Sequence, residues 1–401
     1  MPFEADSVVF EASRKYLIFI KALPAQMRRQ VVPIRRNTMQ NKKLKCGIIG
    51  ATGMVGQRFI TLLADHPYFE ISVLAASASS AGKTSEEAVR NRWRLKTPMP
   101  EIVRNMVVVD ASEVEKVSSQ VDFVFCAVNM DKEDVLKLEE AYAKTETPVV
   151  SNNSANRWTE DVPMVIPEIN PEHLAVIDIQ KKRLGTTRGF IAVKPNCSIQ
   201  SFVPALTPLL GFGITKAVVT TFQAVSGAGK RLEDWPGIYD NVIPYIGGEE
   251  EKTENEPLKI WGTLTENGIK KAQSPVITAQ CIRVPVSDGH LAAVSVAFNR
   301  IKPSMEEIID IWRNFKGEPQ LLKLPHAPEH FITYFDEFDR PQTGLDRMLE
   351  GGMGISVGRL RKDSVFDYKF VCLSHNTLRG AAGGAVLIAE MLYKKGYIQA
   401  K

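Results

Sequence analysis

The sequence predicts an α/β chain with two sheets: a doubly wound parallel sheet first, then an α+β part whose sheet is mixed or antiparallel. Three observations predict it. Short apolar runs alternate with helical stretches from Leu44 to about residue 195. A glycine-rich turn, GATGMVGQ, joins the first of these runs to a helix with apolar residues at helical spacing. Beyond residue 197 the runs lengthen and fill with Val, Thr and Phe. A chain of 401 residues is long enough for two domains, and 44% hydrophobic with 24% charged residues is the balance of a folded, soluble body.

Residues 1–43 are read as a basic leader, because residues 1–45 hold ten Lys or Arg against three Asp or Glu. Its apolar stretch YLIFI is too short for a signal-peptide core, and Glu4, Asp6 and Glu11 argue against an ordinary transit peptide. A disordered extension is expected, with organelle targeting the lesser alternative and Met39 a natural start for the folded part.

From Leu44, LKCGIIGATGMVGQRFITLLADH reads as strand, turn and helix. FEISVLAAS, MVVVD, VDFVFCAV and PVVSN follow as further strands between helices and loops. This places a Rossmann-type dinucleotide-binding domain at 44–195. The second part, 196–375, contains TKAVVTTFQAV, CIRVPV and HLAAVSVAF. The Asp-Gly pair in VSDGH predicts a hairpin, with Arg283 and His290 on neighbouring strands. The ending, NTLRGAAGGAVLIAEMLYKKGY, reads as a helix over 376–401 that packs back on the first domain.

In the turn, Gly50, Gly53 and Gly56 form a GxxGxxG variant of the dinucleotide fingerprint, where backbone N–H groups at a helix start attract a pyrophosphate. Thr52, Met54 and Val55 complete it. The second strand ends in AASASSAGK, without the acid an NAD enzyme usually carries there. Ser77, Ser79, Ser80 and Lys83 suit a 2'-phosphate instead, so NADP is the expected cofactor.

Cys197, in KPNCSIQ, sits between a Pro-Asn turn and the expected start of a helix, a position that favours a thiolate. Taken singly, Cys197 reads equally as a small buried residue, Arg157 in SNNSANRW as a surface charge, and Glu256 and Lys259 in ENEPLKIW as a helical surface pair. His290 reads as structural and Gln223 in TFQAVSGAGK as part of a turn.

Together these motifs are more specific. In order and spacing, GATGMVGQ, the SxxSANR ending at Arg157, PNCSIQ, FQAVSGAG, EPLK, RVPVSDGH and NTLRGAAGG resemble aspartate-semialdehyde dehydrogenase, in its fungal and archaeal branch, over essentially all of residues 44–401. Ser79 stands where some relatives carry a charged or proline-containing loop. The resemblance implies a phosphorylating, NADP-dependent oxidoreductase working through a cysteine thioester, in the biosynthesis of lysine, methionine, threonine and isoleucine. It implies Cys197 as nucleophile, His290 as acid/base and Gln223 as the residue orienting the acyl group. Arg283 would hold the substrate carboxylate, Glu256 its amino group, and Arg157 and Lys259 the phosphate, with Asn196 beside the nucleophile. Ser226, Gly227 and Asn376 join the cofactor set, and an imidazolium at His290 would favour the thiolate. A homodimer or homotetramer is implied as well. The alternatives are an N-acetyl-γ-glutamyl-phosphate reductase-like enzyme, which Glu256 disfavours because an acetylated amine carries no charge, and a non-catalytic cofactor-binding paralogue.

Other classes find no support. Beyond the leader the chain is nearly balanced, which predicts no nucleic-acid binding. No apolar run approaches a membrane span. Five scattered cysteines without a CxxC pair predict neither disulfides nor a metal, and a cytoplasmic location fits the reduced thiols.

Overall fold

Six parallel strands are laid down first, β1 (Leu44–Ile49), β2 (Phe69–Ala76), β3 (Val109–Asp110), β4 (Phe123–Cys126), β5 (Val149–Ser151) and β6 (Ile191–Val193), in the order β3-β2-β1-β4-β5-β6. The computed structural model describes residues 42–299 and 301–401. The expectations for the leader and for Met39 concern residues that, from 1 to 41, lie outside the described ones. Strand order reverses between β1 and β4, and a sheet of this kind opens a crevice at the carboxyl ends of those strands. The glycine turn falls at that point. Gly50 has φ +91°, and a Cβ on it would overlap the carbonyl of Ala127 at the end of β4; one on Gly56 would overlap the carbonyl of Gly50. Only glycine permits this close approach.

After two short strands, β8 (Thr263–Thr265) and β9 (Gly268–Lys270), pair as a separate hairpin, the second large sheet is complete with β7 (Ile214–Gln223), β10 (Val276–Arg283), β11 (His290–Phe298), β12 (Ile332–Phe335), β13 (Ile355–Lys362) and β14 (Tyr368–Ser374). Its order is β10-β7-β11-β14-β13-β12, with β10 parallel to β7, and β11 antiparallel to both β7 and β14. The sheet is mixed, as expected, but the hairpin is not formed. β7 lies between β10 and β11, so VSDGH crosses the end of β7. Pro285 has no N–H for a continuing ladder, and the six residues from 284 to 289 are long enough for the crossing. Arg283 and His290 still meet at the same end of the sheet, around Gln223 and Ala224.

The helix Gly383–Lys394 packs on the first sheet. Its Ala385, Val386, Ile388 and Leu392 share an apolar cluster with Cys46 and Ile48 of β1 and Phe123 and Phe125 of β4. Each fully buried Val, Leu or Ile contributes about 1.5–3 kcal/mol. A second cluster runs from Val124 and Val149 of the first sheet to Val219 and Val294 of the second, so both sheets share a core. No described helix is long and apolar enough to cross a membrane.

Candidate active site

Cys197 lies a few residues beyond β6, and it alone among the five free cysteines is not fully buried. The expected helix after it is laid down as a 3-10 turn (Ser198–Gln200), a short helix (Phe202–Leu206) and another 3-10 stretch (Thr207–Phe212). Pro204 and Pro208 interrupt the ladder, so the dipole that would favour a thiolate is small. Asn196 braces the turn by accepting from the Ser198 amide at 2.7 Å. Opposite, Gly380 of NTLRGAAGG comes so near that a Cβ there would stand 2.8 Å from the Cβ of Cys197.

His290, first residue of β11, places Nε2 3.5 Å from the Cys197 sulfur. Its Nδ1 accepts from the amide of Ala224 at 3.1 Å. Neutral His290 therefore carries its proton on Nε2, facing the sulfur. Burial, and next the charge of Arg283, push the imidazole down to about 3. Burial, and next Glu249, push the Cys197 thiol up to about 11, against the pull of Lys194, Arg157 and Arg283. The resting pair is thiol and neutral imidazole, which corrects the expected imidazolium. Arg283 donates Nη1 to the carbonyl of Ala224 at 2.7 Å. A Cβ on Gly227 would stand 2.9 Å from that Nη1 and 3.1 Å from His290 Nε2, so a side chain there would crowd both groups.

The helix Glu249–Ile260 overturns two expectations. Glu256 is buried with one oxygen on Arg157 Nη1 at 2.9 Å and the other on the Asn196 amide at 2.6 Å. Lys259 is buried too. Its Nζ donates to the carbonyls of Arg157, Thr159 and Val162 at 2.7, 2.7 and 2.9 Å, and burial holds it down to about 7. Both charged groups are spent on the scaffold. Seven residues earlier, Glu249 accepts from Asn196 Nδ2 at 3.1 Å, from Gln223 Nε2 at 3.4 Å and from Lys252 Nζ at 2.9 Å. Glu249 and Lys252, missed in the sequence, thus border the cysteine site. Their signal was present, since Glu249/Lys252 repeats the spacing of Glu256/Lys259 two turns away on one helix face.

Arg157 is buried, with Nε on the Lys194 carbonyl at 3.0 Å and Nη2 on the Asn152 carbonyl at 3.1 Å. Together with the Glu256 contact this uses three of its five donors. Lys194 is fully buried and strongly depressed by that burial, and donates to the Pro195 carbonyl at 2.8 Å. Among the described residues, the cluster most like a metal-ligand set is His66, His326 and Glu390. There His66 Nδ1 accepts from the Tyr68 and Phe69 amides, both at 3.1 Å, so its Nε2–H donates to Glu390 and offers no lone pair.

The glycine turn suits a dinucleotide. The helix Met54–Leu63 begins at Gly53 with no side-chain cap, which leaves its first N–H groups facing the crevice. Thr52 immediately precedes it, and Met54 and Val55 open it. Beyond β2, Ser77 and Ser79 are exposed and linked at 3.0 Å, and Lys83 Nζ folds onto the Ser79 carbonyl at 2.7 Å. Ser80 is buried, so its hydroxyl does not face that surface, contrary to expectation. Asn376 accepts from the Gly289 amide at 2.8 Å and donates to Ser226 at 2.8 Å, beside Gly227.

Comparison with known proteins agrees with this arrangement. Residues 45–177 match the family described as "Semialdehyde dehydrogenase, NAD binding domain", and residues 206–379 that described as "Semialdehyde dehydrogenase, dimerisation domain". The aspartate-semialdehyde dehydrogenase of Aspergillus fumigatus is 45% identical over 89% of this chain and 99% of its own. That of Methanothermobacter thermautotrophicus is 44% identical over 86% and 98%. A crystal structure of the Candida albicans aspartate semialdehyde dehydrogenase with NADP superposes with a TM-score of 0.80, at 39% identity over 89% of this chain and 100% of that one. The chain belongs to the aspartate-semialdehyde dehydrogenase family.

Proposed function

We infer that the protein catalyses the reversible, NADP-dependent reductive dephosphorylation of L-4-aspartyl phosphate to L-aspartate 4-semialdehyde and phosphate, within the biosynthesis of lysine, methionine, threonine and isoleucine. The observation that carries this reading is the Cys197–His290 pair, bordered by Arg283, Gln223 and Glu249, in a chain 45% identical to such an enzyme over 89% of its length. Gly50, Thr52, Gly53, Met54, Val55 and Gly56 would hold the pyrophosphate, Ser77, Ser79 and Lys83 the 2'-phosphate, and Ser226, Gly227 and Asn376 the nicotinamide side. Bound NADP accepts the hydride in the oxidising direction and supplies it in the other.

In the oxidising direction the Cys197 thiol loses its proton to solvent, and its sulfur bonds to the aldehyde carbon as the carbonyl π pair moves onto the substrate oxygen. The Nε2–H of His290 donates to whichever of sulfur and substrate oxygen carries the charge. Loss of hydride from that carbon leaves a thioester on Cys197. Phosphate, held by Arg157 and Lys252, attacks the thioester carbon, the carbon–sulfur bond breaks, and aspartyl phosphate leaves. Arg283 holds the substrate carboxylate, Glu249 its ammonium and Gln223 its acyl oxygen, with Asn196 fixing the nucleophile's turn. Glu249 favours a free ammonium over an acetylated amine, which sets the N-acetylglutamyl reading aside.

Residues 44–195 with 376–401 form the cofactor part, and 196–375 the catalytic and oligomerising part, of a homodimer or homotetramer, a reading supported by the dimerisation-domain match. Five free thiols support a cytoplasmic location. The test is phosphate-dependent NADP reduction with aspartate semialdehyde beside N-acetylglutamate semialdehyde. Turnover of the first alone is expected, and Cys197→Ala abolishes it while NADP still binds. Preference for the second substrate, or substantial activity in the variant, overturns the reading.

A further inference from the structure

We propose that Glu139 is a positioning residue for the phosphate step: through Ser151, Asn153 and Asn156 it fixes the loop that presents Arg157. This rests on the reading of Arg157 as a phosphate contact. Glu139 lies on the helix Lys132–Lys144 and is fully buried. Its Oε1 accepts from Ser151 Oγ at 2.5 Å and from Asn153 Nδ2 at 3.0 Å, and its Oε2 from Asn156 Nδ2 at 2.8 Å. Ser151 Oγ in turn accepts from the Asn153 amide at 3.0 Å. One carboxylate thus ties three points of a six-residue stretch, and the last of them adjoins Arg157.

Burying an acid without a cation is costly, and no described Lys, Arg or His pairs with Glu139. Its buried neighbours on the same helix, Val135, Tyr142 and Ala143, show that packing alone is met there by other side chains. What the carboxylate supplies is acceptors for loop donors. The loop also keeps a donor in reserve, because Asn152 Nδ2 is buried and has no hydrogen-bond partner among the described residues. The carbonyl of the same Asn152 receives Arg157 Nη2. A backbone held at Ser151, Asn153 and Asn156 therefore sets where both the guanidinium and this donor point.

The experiment is steady-state kinetics of the full chain with phosphate and aspartate semialdehyde varied separately, for Glu139→Leu, Glu139→Gln and, as reference, Arg157→Lys. Glu139→Leu removes all three hydrogen bonds and is expected to raise KM for phosphate by about tenfold or more, with KM for the semialdehyde nearly unchanged. Glu139→Gln keeps an oxygen for Ser151 and Asn153. The Asn156 amide can turn over to meet the new N–H because Thr159 Oγ1, 3.2 Å from its Oδ1, accepts as well as donates, so the phosphate KM should return close to the parent value. If Glu139→Leu does not fold, Asn156→Ala, which removes one of the three ties, carries the same readout. A folded variant that changes both KM values equally, or neither, overturns the proposal while Arg157→Lys still raises the phosphate KM. An unaltered phosphate KM in Arg157→Lys overturns the reading beneath it. A Glu139→Gln enzyme as impaired as Glu139→Leu shows that charge rather than positioning is at work and also overturns the proposal.

Discussion

The amide of Ala224 donates to Nδ1 of His290 at 3.1 Å, and this single hydrogen bond decides that the imidazole presents an N–H, not a lone pair, to the sulfur of Cys197. With burial holding the thiol up to about 11, the free enzyme keeps Cys197 protonated at neutral pH. Alkylation of Cys197 by iodoacetamide should therefore accelerate about tenfold per pH unit from pH 7 upward, levelling near 11. The other four cysteines are buried, so mass spectrometry can follow this one. A midpoint below pH 8 would show that the resting enzyme holds a thiolate.

Arg283→Lys should weaken use of aspartate semialdehyde far more than use of phosphate. Only a guanidinium makes a two-pronged contact with a carboxylate, and Arg283 lies beside His290, whereas Arg157 is held by Glu256. Separate KM values measure this, and equal losses would mean the two anion sites are misassigned.

Glu249 and Glu256 should separate cleanly. Glu249→Gln is expected to raise KM for the semialdehyde with little effect on melting. Glu256→Gln leaves the buried Arg157 without its ion-pair partner and should cost about 3–5 kcal/mol of stability. Denaturant titration alongside kinetics tests both. A Glu256→Gln protein as stable as the parent contradicts the scaffold role.

Acid should destabilise the fold before its carboxylates protonate. Burial first of all holds His173 and His375 down to about 4 and His290 to about 3. At each, Nδ1 already faces a donor, respectively Asn170 Nδ2, the Thr377 and Leu378 amides, and the Ala224 amide. Unfolded imidazoles titrate near 6.5, so between about pH 6.5 and 4 the unfolded state binds more protons. Stability is complete above that window and falls through it, by up to about 1.4 kcal/mol per pH unit for each histidine. Calorimetry at pH 5.5 in buffers of different ionisation enthalpy should register proton uptake on unfolding. A melting temperature flat from pH 7 to 5 would contradict this account.

Much of the parallel sheet is legible because each strand is a short apolar run bounded by turn residues, and GATGMVGQ is legible because close backbone approach admits only glycine. The roles of Cys197, Arg283 and His290 come from the resemblance of the motifs around them, since taken singly Cys197 reads equally as a small buried residue and His290 as structural. What the sequence hides is depth. Glu249 and Glu256 carry the same charge on the same helix face, and only the guanidinium of Arg157 and the backbone amide of Asn196, both given to the second, distinguish them. The Asp-Gly pair at 288–289 misleads because turn chemistry says nothing about a third strand, β7, taking the place between its neighbours. The helix expected after Cys197 fails for a reason that was visible, Pro204 and Pro208, whose effect on the ladder outweighs the apolar spacing.

The seating of Gly383–Lys394 on β1 and β4 has a consequence for synthesis on the ribosome. All six strands of the first sheet have been made once residue 193 is joined, yet the helix that covers their apolar face comes nearly two hundred residues later. At about 5–20 residues per second the part of that face not covered by the helix Met54–Leu63 stays open for roughly 10–40 s. During that interval the nascent chain offers the rest of that apolar face to whatever it meets.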